Sequence, residues 1–320
     1  MRILLVKTSS LGDVIHNLPV ASDIRRCFPD CRIDWCVEAP FAAIPRLHPA
    51  VGEVIPVAIR RWRRALFSRS TWQEFGAFRA RIGATPYDQI IDTQGLVKSA
   101  LLCRLAHGPR YGYDAASIRE PLAARFYDQC HPVPTRLHAV HRNRQLAAQA
   151  LGYADRLNEL PLDYGLGATT RATADAPYAV LLTATSRDDK LWQEDNWIAL
   201  GQRLADQGIQ ARLPAGNPVE RARAERIATA IPGAAALPAQ GLESLASQLA
   251  GATLVVGVDT GLTHLGVALA RPTVALYVST DPGLTGVLGA GDFRNLGAAG
   301  QPPSLAEAWD ACTTLLGRPA

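Results

Sequence analysis

Apolar residues fall in short blocks separated by longer stretches of helical periodicity. Residues 3–6 form a continuous apolar run, the pattern of a strand buried on both faces of a parallel sheet. The polar turn Thr8-Ser9-Ser10 follows, and Gly12-Asp13 opens an amphipathic helix running to about residue 26, before Pro29-Asp30 breaks the chain. Further strands are expected at 33–37, 54–57 and 89–92, with helical patterns at 96–105 and 138–151. Residues 158–176, rich in Pro, Gly, Asp and Thr, lose all periodicity and read as a linker. A second series then begins with strand 179–182, helix 197–207, strand 210–213 and helices 220–230 and 242–250. It continues through strand 254–258, helix 262–270 and strand 273–277 to a helical tail at 304–316. Such alternation predicts two α/β domains, 1–165 and 176–300. Each is an open parallel sheet with its ligand in the cleft that faces the strand carboxyl ends.

Composition agrees with this picture. A chain of 320 residues is long enough for two domains, and 48% hydrophobic against 19% charged residues excludes disorder. The apolar run near the N-terminus stops at Lys7, too short for a secretory signal, and no run is long enough to span a bilayer. A cytoplasmic chain with at most peripheral membrane contact is expected. Cys27, Cys31, Cys36, Cys103, Cys130 and Cys312 form no C-x-x-C pair, so they are expected to be buried free thiols in a reducing compartment.

Charge divides the chain. Residues 1–165 carry 22 Lys and Arg against 15 Asp and Glu, whereas 166–320 carry 11 against 14. A basic first half predicts an anionic partner there. Nucleic acid, an anionic membrane surface and a phosphorylated small acceptor all fit on charge alone.

Four constellations could carry chemistry. In Lys7-Thr-Ser-Ser-Leu-Gly-Asp13, Asp13 stands in the first turn of a helix at a strand's carboxyl end. It is either a capping residue or a general base held in its charged form by the helix dipole. The dinucleotide fingerprint and the P-loop are both absent. In 183–192, Thr185, Ser186, backbone N–H groups and Lys190 converge where a phosphate would sit, or else form a solvated loop. In 258–265, Thr260 can cap a helix, Gly261 permits close backbone approach, and the N–H groups of Gly261 and Leu262 would bind an anion. His264 could add a donor or be a packed structural residue, and Asp259 could orient Thr260. Arg60, Arg61, Arg63 and Arg64 are costly to cluster unless something anionic meets them, the alternative being a solvated basic loop. Lys98, Arg104, Arg119, Arg142 and Arg144 lie in the same half. No nucleic-acid module accompanies them. H-E-x-x-H and D-x-D are both missing, so a leaving-group site of Lys and helix N-termini without metal is expected.

Taken together, Lys7–Asp13, the Arg60–Arg63 cluster, Asp92-Thr-Gln-Gly-Leu-Val-Lys98-Ser, Arg119-Glu-Pro-Leu, Arg187-Asp-Asp-Lys190, Asp259-Thr-Gly-Leu-Thr-His264 and Thr280-Asp-Pro-Gly283 resemble the lipopolysaccharide heptosyltransferases of glycosyltransferase family 9. The first-acting kind fits better than a later-acting one, and the matches run in order through most of the chain. The resemblance implies a GT-B fold: two Rossmann-like domains facing across a cleft, the C-terminal helix (about 304–320) crossing back onto the first. It implies inverting, metal-independent and cofactor-free transfer of L-glycero-D-manno-heptose from ADP-heptose to the Kdo of Kdo2-lipid A, by a monomer on the inner face of the membrane. A non-catalytic nucleotide-sugar-binding protein is the alternative from another class. Asp13 would then be the base and Lys190 would neutralise the departing diphosphate. Thr185, Ser186, Asp259, Thr260, Gly261, Leu262 and His264 would surround the donor, and Glu220 would hold its ribose. Arg60, Arg61, Arg63, Arg64, Lys98 and Arg119 would grip the acceptor. Ser186 replaces an expected Thr, and Gln240 lies where relatives can place an apolar residue against adenine.

Overall fold

The computed structural model describes residues 1–166 and 176–317, which form two compact units, Met1–Gly165 and Leu166–Ala320. In the first unit the elements are β1 (Arg2–Val6), α1 (Leu11–His16), α2 (Leu18–Cys27), β2 (Arg32–Glu38), α3 (Ala43–Arg46), β3 (Val51–Val57), α4 (Ile59–Arg64) and α5 (Arg69–Ile82). There follow β4 (Gln89–Asp92), α6 (Val97–Cys103), β5 (Arg110–Tyr113), β6 (Gln129–His131) and α7 (Ala139–Leu151). The second unit contains β7 (Tyr178–Leu182), α8 (Glu194–Asp206), β8 (Gln210–Leu213), α9 (Pro218–Thr229), β9 (Ala235–Ala236) and α10 (Leu242–Ala250). It closes with β10 (Leu254–Val258), α11 (Gly261–Ala268), β11 (Thr273–Leu276), α12 (Pro282–Thr285), β12 (Phe293–Leu296) and α13 (Leu305–Leu316).

The strands pair in parallel, in the orders β3-β2-β1-β4-β5-β6 and β12-β11-β10-β7-β8-β9. Read from the opposite edge, the second order repeats the first, so the chain builds one doubly wound wiring twice. In each sheet the winding reverses between two central strands, β1 and β4 in one and β7 and β10 in the other. Loops leaving their carboxyl ends diverge there and leave room for ligand. Ile3, Leu4, Leu5 and Val6, like the whole of β7 and β10, are buried, as the unbroken apolar runs predict.

Several expectations need correction. The helix expected from Gly12 to about residue 26 is two helices, because Pro19 has no N–H to donate to the Ile15 carbonyl; Asn17 ends α1 and caps α2. Ala308, Ala311 and Cys312 of α13 pack into the second unit's core with Trp197, Leu200 and Val274, and Trp192 Nε1 donates to the Pro303 carbonyl at 2.8 Å. Of the six thiols, Cys130 is exposed, since the short edge strand β6 leaves its outer side uncovered, and Cys27, the last residue of α2, is half-buried. The linker expected at 158–176 begins inside a 3-10 turn, Ala154–Glu159, and its stretch 167–175 lies outside the described residues, as do positions 318–320 of the tail.

Candidate functional site

At the first unit's switch point two loops are fastened to each other. Gln94, just beyond β4, accepts at Oε1 from the backbone N–H groups of Thr8 (2.9 Å) and Ser9 (3.0 Å), just beyond β1. Gln94 is itself set by the buried Asp92, whose Oδ1 accepts from the N–H of Gln94 at 2.8 Å and of Gly95 at 3.3 Å. The other Asp92 oxygen accepts from the Tyr127 hydroxyl at 2.8 Å. Tyr127 can lie there only because residue 112 is glycine: a Cβ at that position would stand 2.2 Å from the Tyr127 ring. Burial pushes the Asp92 carboxyl up, against the hydrogen bonds from Ser99, Tyr127, Gln94 and Gly95 that favour its charge.

Asp13 stands on α1 above this fastening. Its Oδ2 accepts from the Ser10 N–H at 2.6 Å and from the Ser10 hydroxyl at 3.0 Å. The capping role is therefore real, and it orients the carboxylate while Oδ1 is left for a further donor. Below it, buried Lys7 donates to the Thr93 carbonyl at 2.7 Å and to Asn143 Oδ1 at 3.3 Å. Burial pushes the Lys7 ammonium down, and the charges of Asp13 and Asp92 oppose that. Arg142 lies over the Tyr113 ring and is held by the Ser117 carbonyl. Arg144 is not available to a ligand, because it makes a buried two-pronged pair with Asp23 at 2.7 and 3.0 Å.

The four clustered arginines form the helix α4, not a loop. Trp62 turns inward among them, and its indole N–H shares Glu74 Oε2 with Arg61 at 2.9 and 2.6 Å. Arg60, Arg63 and Arg64 make no ion pair among the described residues. Arg119 is exposed and Lys98 half-buried in the first turn of α6.

The second unit repeats the arrangement with different chemistry. Lys190, beyond β7, donates to Asp259 Oδ2, beyond β10, at 2.6 Å. The Thr280 hydroxyl donates to the same oxygen at 2.8 Å, His264 Nε2 lies 3.9 Å from Oδ1, and the Thr185 hydroxyl donates to the Asp259 carbonyl at 2.9 Å. Burial alone would raise the Asp259 carboxyl. Hydrogen bonds from His264, Lys190 and Thr280 outweigh it and hold the group well below the usual carboxylate range. Asp259 therefore faces Lys190 and does not orient Thr260. Thr260 occupies the cap position of α11 without a side-chain cap bond, while Thr263 N–H turns back to the Thr260 carbonyl. Gly261 and Leu262 open the helix beside it. Ser186 is exposed. Glu220 is engaged at the start of α9, accepting from Gly216 N–H and Asn217 Nδ2, both at 2.7 Å.

The structure thus brings Thr185, Lys190, Asp259, Thr260 and His264 together in one unit, and Asp13 with the β4 loop in the other. Reading the sequence missed Lys7, Asp92, Gln94, Tyr127, Asn143 and Thr280 as site-builders. Asp92–Gln94 and Thr280 lie in stretches whose spacing is recognisable, but their tasks are long-range bonds that no local pattern reports.

Three comparisons bear on this geometry. The model of glycosyltransferase family 9 (heptosyltransferase) matches residues 75–307. Lipopolysaccharide heptosyltransferase 1 of Escherichia coli (strain K12) is 49% identical over 293 residues, 90% of this chain and 91% of that protein. The solved structure of E. coli heptosyltransferase WaaC with ADP aligns with a TM-score of 0.91 at 45% identity, covering 99% of each chain. WaaC with ADP-2-deoxy-2-fluoro heptose aligns at 0.88 with the same identity and coverage. The α/β class with two parallel sheets, expected from the sequence, is borne out.

Proposed function

The chain belongs to glycosyltransferase family 9, the heptosyltransferases, and from that premise we propose that it moves L-glycero-D-manno-heptose from ADP-heptose to the Kdo of Kdo2-lipid A. Transfer inverts the anomeric carbon and uses no metal. The observation that carries this reading is the second unit's switch point. A lysine, two threonine hydroxyls and a helix start converge there, in a chain 45% identical to one solved with an ADP-heptose analogue. Lys190 exchanges Asp259 for the diphosphate, and the N–H groups of Gly261 and Leu262 meet its other oxygens. Thr185, Ser186 and His264 complete the surroundings and Glu220 takes the ribose.

Asp13 is the base. Ser10 fixes its Oδ2, and Oδ1 accepts the proton of the acceptor hydroxyl as that oxygen attacks the anomeric carbon and the bond to ADP breaks on the opposite face. Arg60, Arg61, Arg63, Arg64, Lys98 and Arg119 hold acceptor phosphate and carboxylate. The protein works as a monomer at the cytoplasmic face of the membrane; no helix among the described residues is long and apolar enough to cross one.

ADP release from ADP-heptose, with and without Kdo2-lipid A and with a chelator present, tests this. Release should require the acceptor and ignore the chelator. Asp13→Asn should lower turnover by about 10²–10⁴, and Lys190→Ala by roughly 10²–10³. Near-normal turnover by Asp13→Asn sinks the base assignment. Release only with a heptosylated acceptor assigns the chain to a later transfer.

A further inference from the structure

The corner between α4 and α5 carries apolar groups where water should meet polar ones. Ser68 N–H donates to the Ala65 carbonyl at 3.0 Å, so Leu66 and Phe67 are the two central residues of a closed turn. Phe67 is fully exposed, Trp72 61% and Leu66 53%. The Trp72 indole N–H is already satisfied by the Leu66 carbonyl at 2.8 Å, which leaves its ring to present hydrocarbon. Behind the turn lies a groove of about 290 Å³ walled mainly by Trp62, Phe75, Leu101 and Leu102, in which Trp72 packs edge-on against Phe75 and Phe75 against Trp62.

Cations surround this surface. Residues 59–73 contain Arg60, Arg61, Arg63, Arg64 and Arg69 and no acidic residue. Arg61 alone of these makes an ion pair among the described residues, and Arg63 and Lys98 line the groove's edge. A turn tipped with Leu-Phe, a tryptophan beside it and unpaired arginines around it match a layer with hydrocarbon below and negative charge above.

We propose that this corner docks on an anionic phospholipid bilayer, with Leu66, Phe67 and Trp72 entering the acyl boundary and Arg69, which has no assigned role at the acceptor, meeting lipid phosphate. A single acyl chain of the acceptor could fill the groove, but it would leave the outward-facing Phe67 in water; a bilayer covers both. This docking rests on the lipid-borne acceptor proposed above, but vesicle binding itself is measured without donor or acceptor.

The full chain is sedimented with vesicles of phosphatidylethanolamine and phosphatidylglycerol and with vesicles of phosphatidylcholine alone. Binding is expected to the first and to fall steeply with salt. Leu66→Ser with Phe67→Ser should weaken it at least about tenfold while leaving the circular dichroism melt and ADP release with a deacylated acceptor unchanged. Brominated acyl chains should quench tryptophan emission in the native chain and much less in Trp72→Phe. Undiminished binding by the double variant overturns the proposal, as does binding to acylated acceptor micelles without binding to anionic vesicles. Intact vesicle binding without ADP release would sink the enzymatic reading and leave this one standing.

Discussion

His48 is buried with both ring nitrogens engaged. Ala50 N–H donates to Nδ1 at 3.1 Å, which makes Nδ1 the acceptor, and Nε2 meets the Ser22 hydroxyl at 2.9 Å. Gly165 closes over the ring with a positive φ of 68°; a Cβ there would fall 2.3 Å from Nε2. Burial pushes the imidazole down from 6.5 to about 4, with Asp163 opposing and Arg25 assisting. A depressed histidine stabilises the fold while it is neutral. Its contribution is complete above about pH 6.5 and is lost as pH falls towards 4, a difference of roughly 3 kcal/mol. Thermal melts should therefore show the native chain losing stability between about pH 6.5 and pH 5 by more than His48→Gln does. Parallel curves would remove His48 as the cause. The residue scale is also where the sequence was least legible. Asp13 could be read as cap or base, and the structure shows the cap, with Oδ2 taking both Ser10 bonds, while the base role is the proposal that turnover tests.

Among the elements, the long apolar runs were readable and the edges were not. Strands β4, β8 and β10 fall where periodicity put them. β5 and β6 escaped because the Arg-Tyr-Gly-Tyr and Gln-Cys-His runs owe their strand form to neighbours already in the sheet, not to alternation of their own. The same limit applies to α13. Its amphipathic stripe and the Ser304/Glu307 capping box announce a helix, and no local feature says which unit it covers. Its small buried residues Ala308, Ala311 and Cys312 pack into the core over β10, β11 and α8. Truncation before residue 304 should therefore deprotect the amides of β10, β11 and β12 in hydrogen exchange and leave those of β1 and β4 slow. Deprotection of the first sheet instead would return the helix to the other unit.

Across the whole molecule, the alternation of strands and helices was enough to give two parallel sheets, because buried parallel strands must be apolar throughout. The fastening of loops at each reversal point was out of reach, since Gln94 to Thr8 and Lys190 to Asp259 join residues far apart in the chain. The second fastening bears on a difficulty posed by charge. Residues 166–320 are net acidic, yet an anionic donor is proposed to settle on them. While no donor is present, the Lys190–Asp259 pair cancels itself and offers passing anions little. A lone inorganic phosphate would have to evict the carboxylate with nothing else to hold it in place, whereas a nucleotide sugar arrives with a ribose and a base to help. If Lys190 takes the diphosphate as proposed, the same carboxylate takes the lysine back once ADP has left, and the pair would then work as a latch that the right cargo opens and that its departure resets.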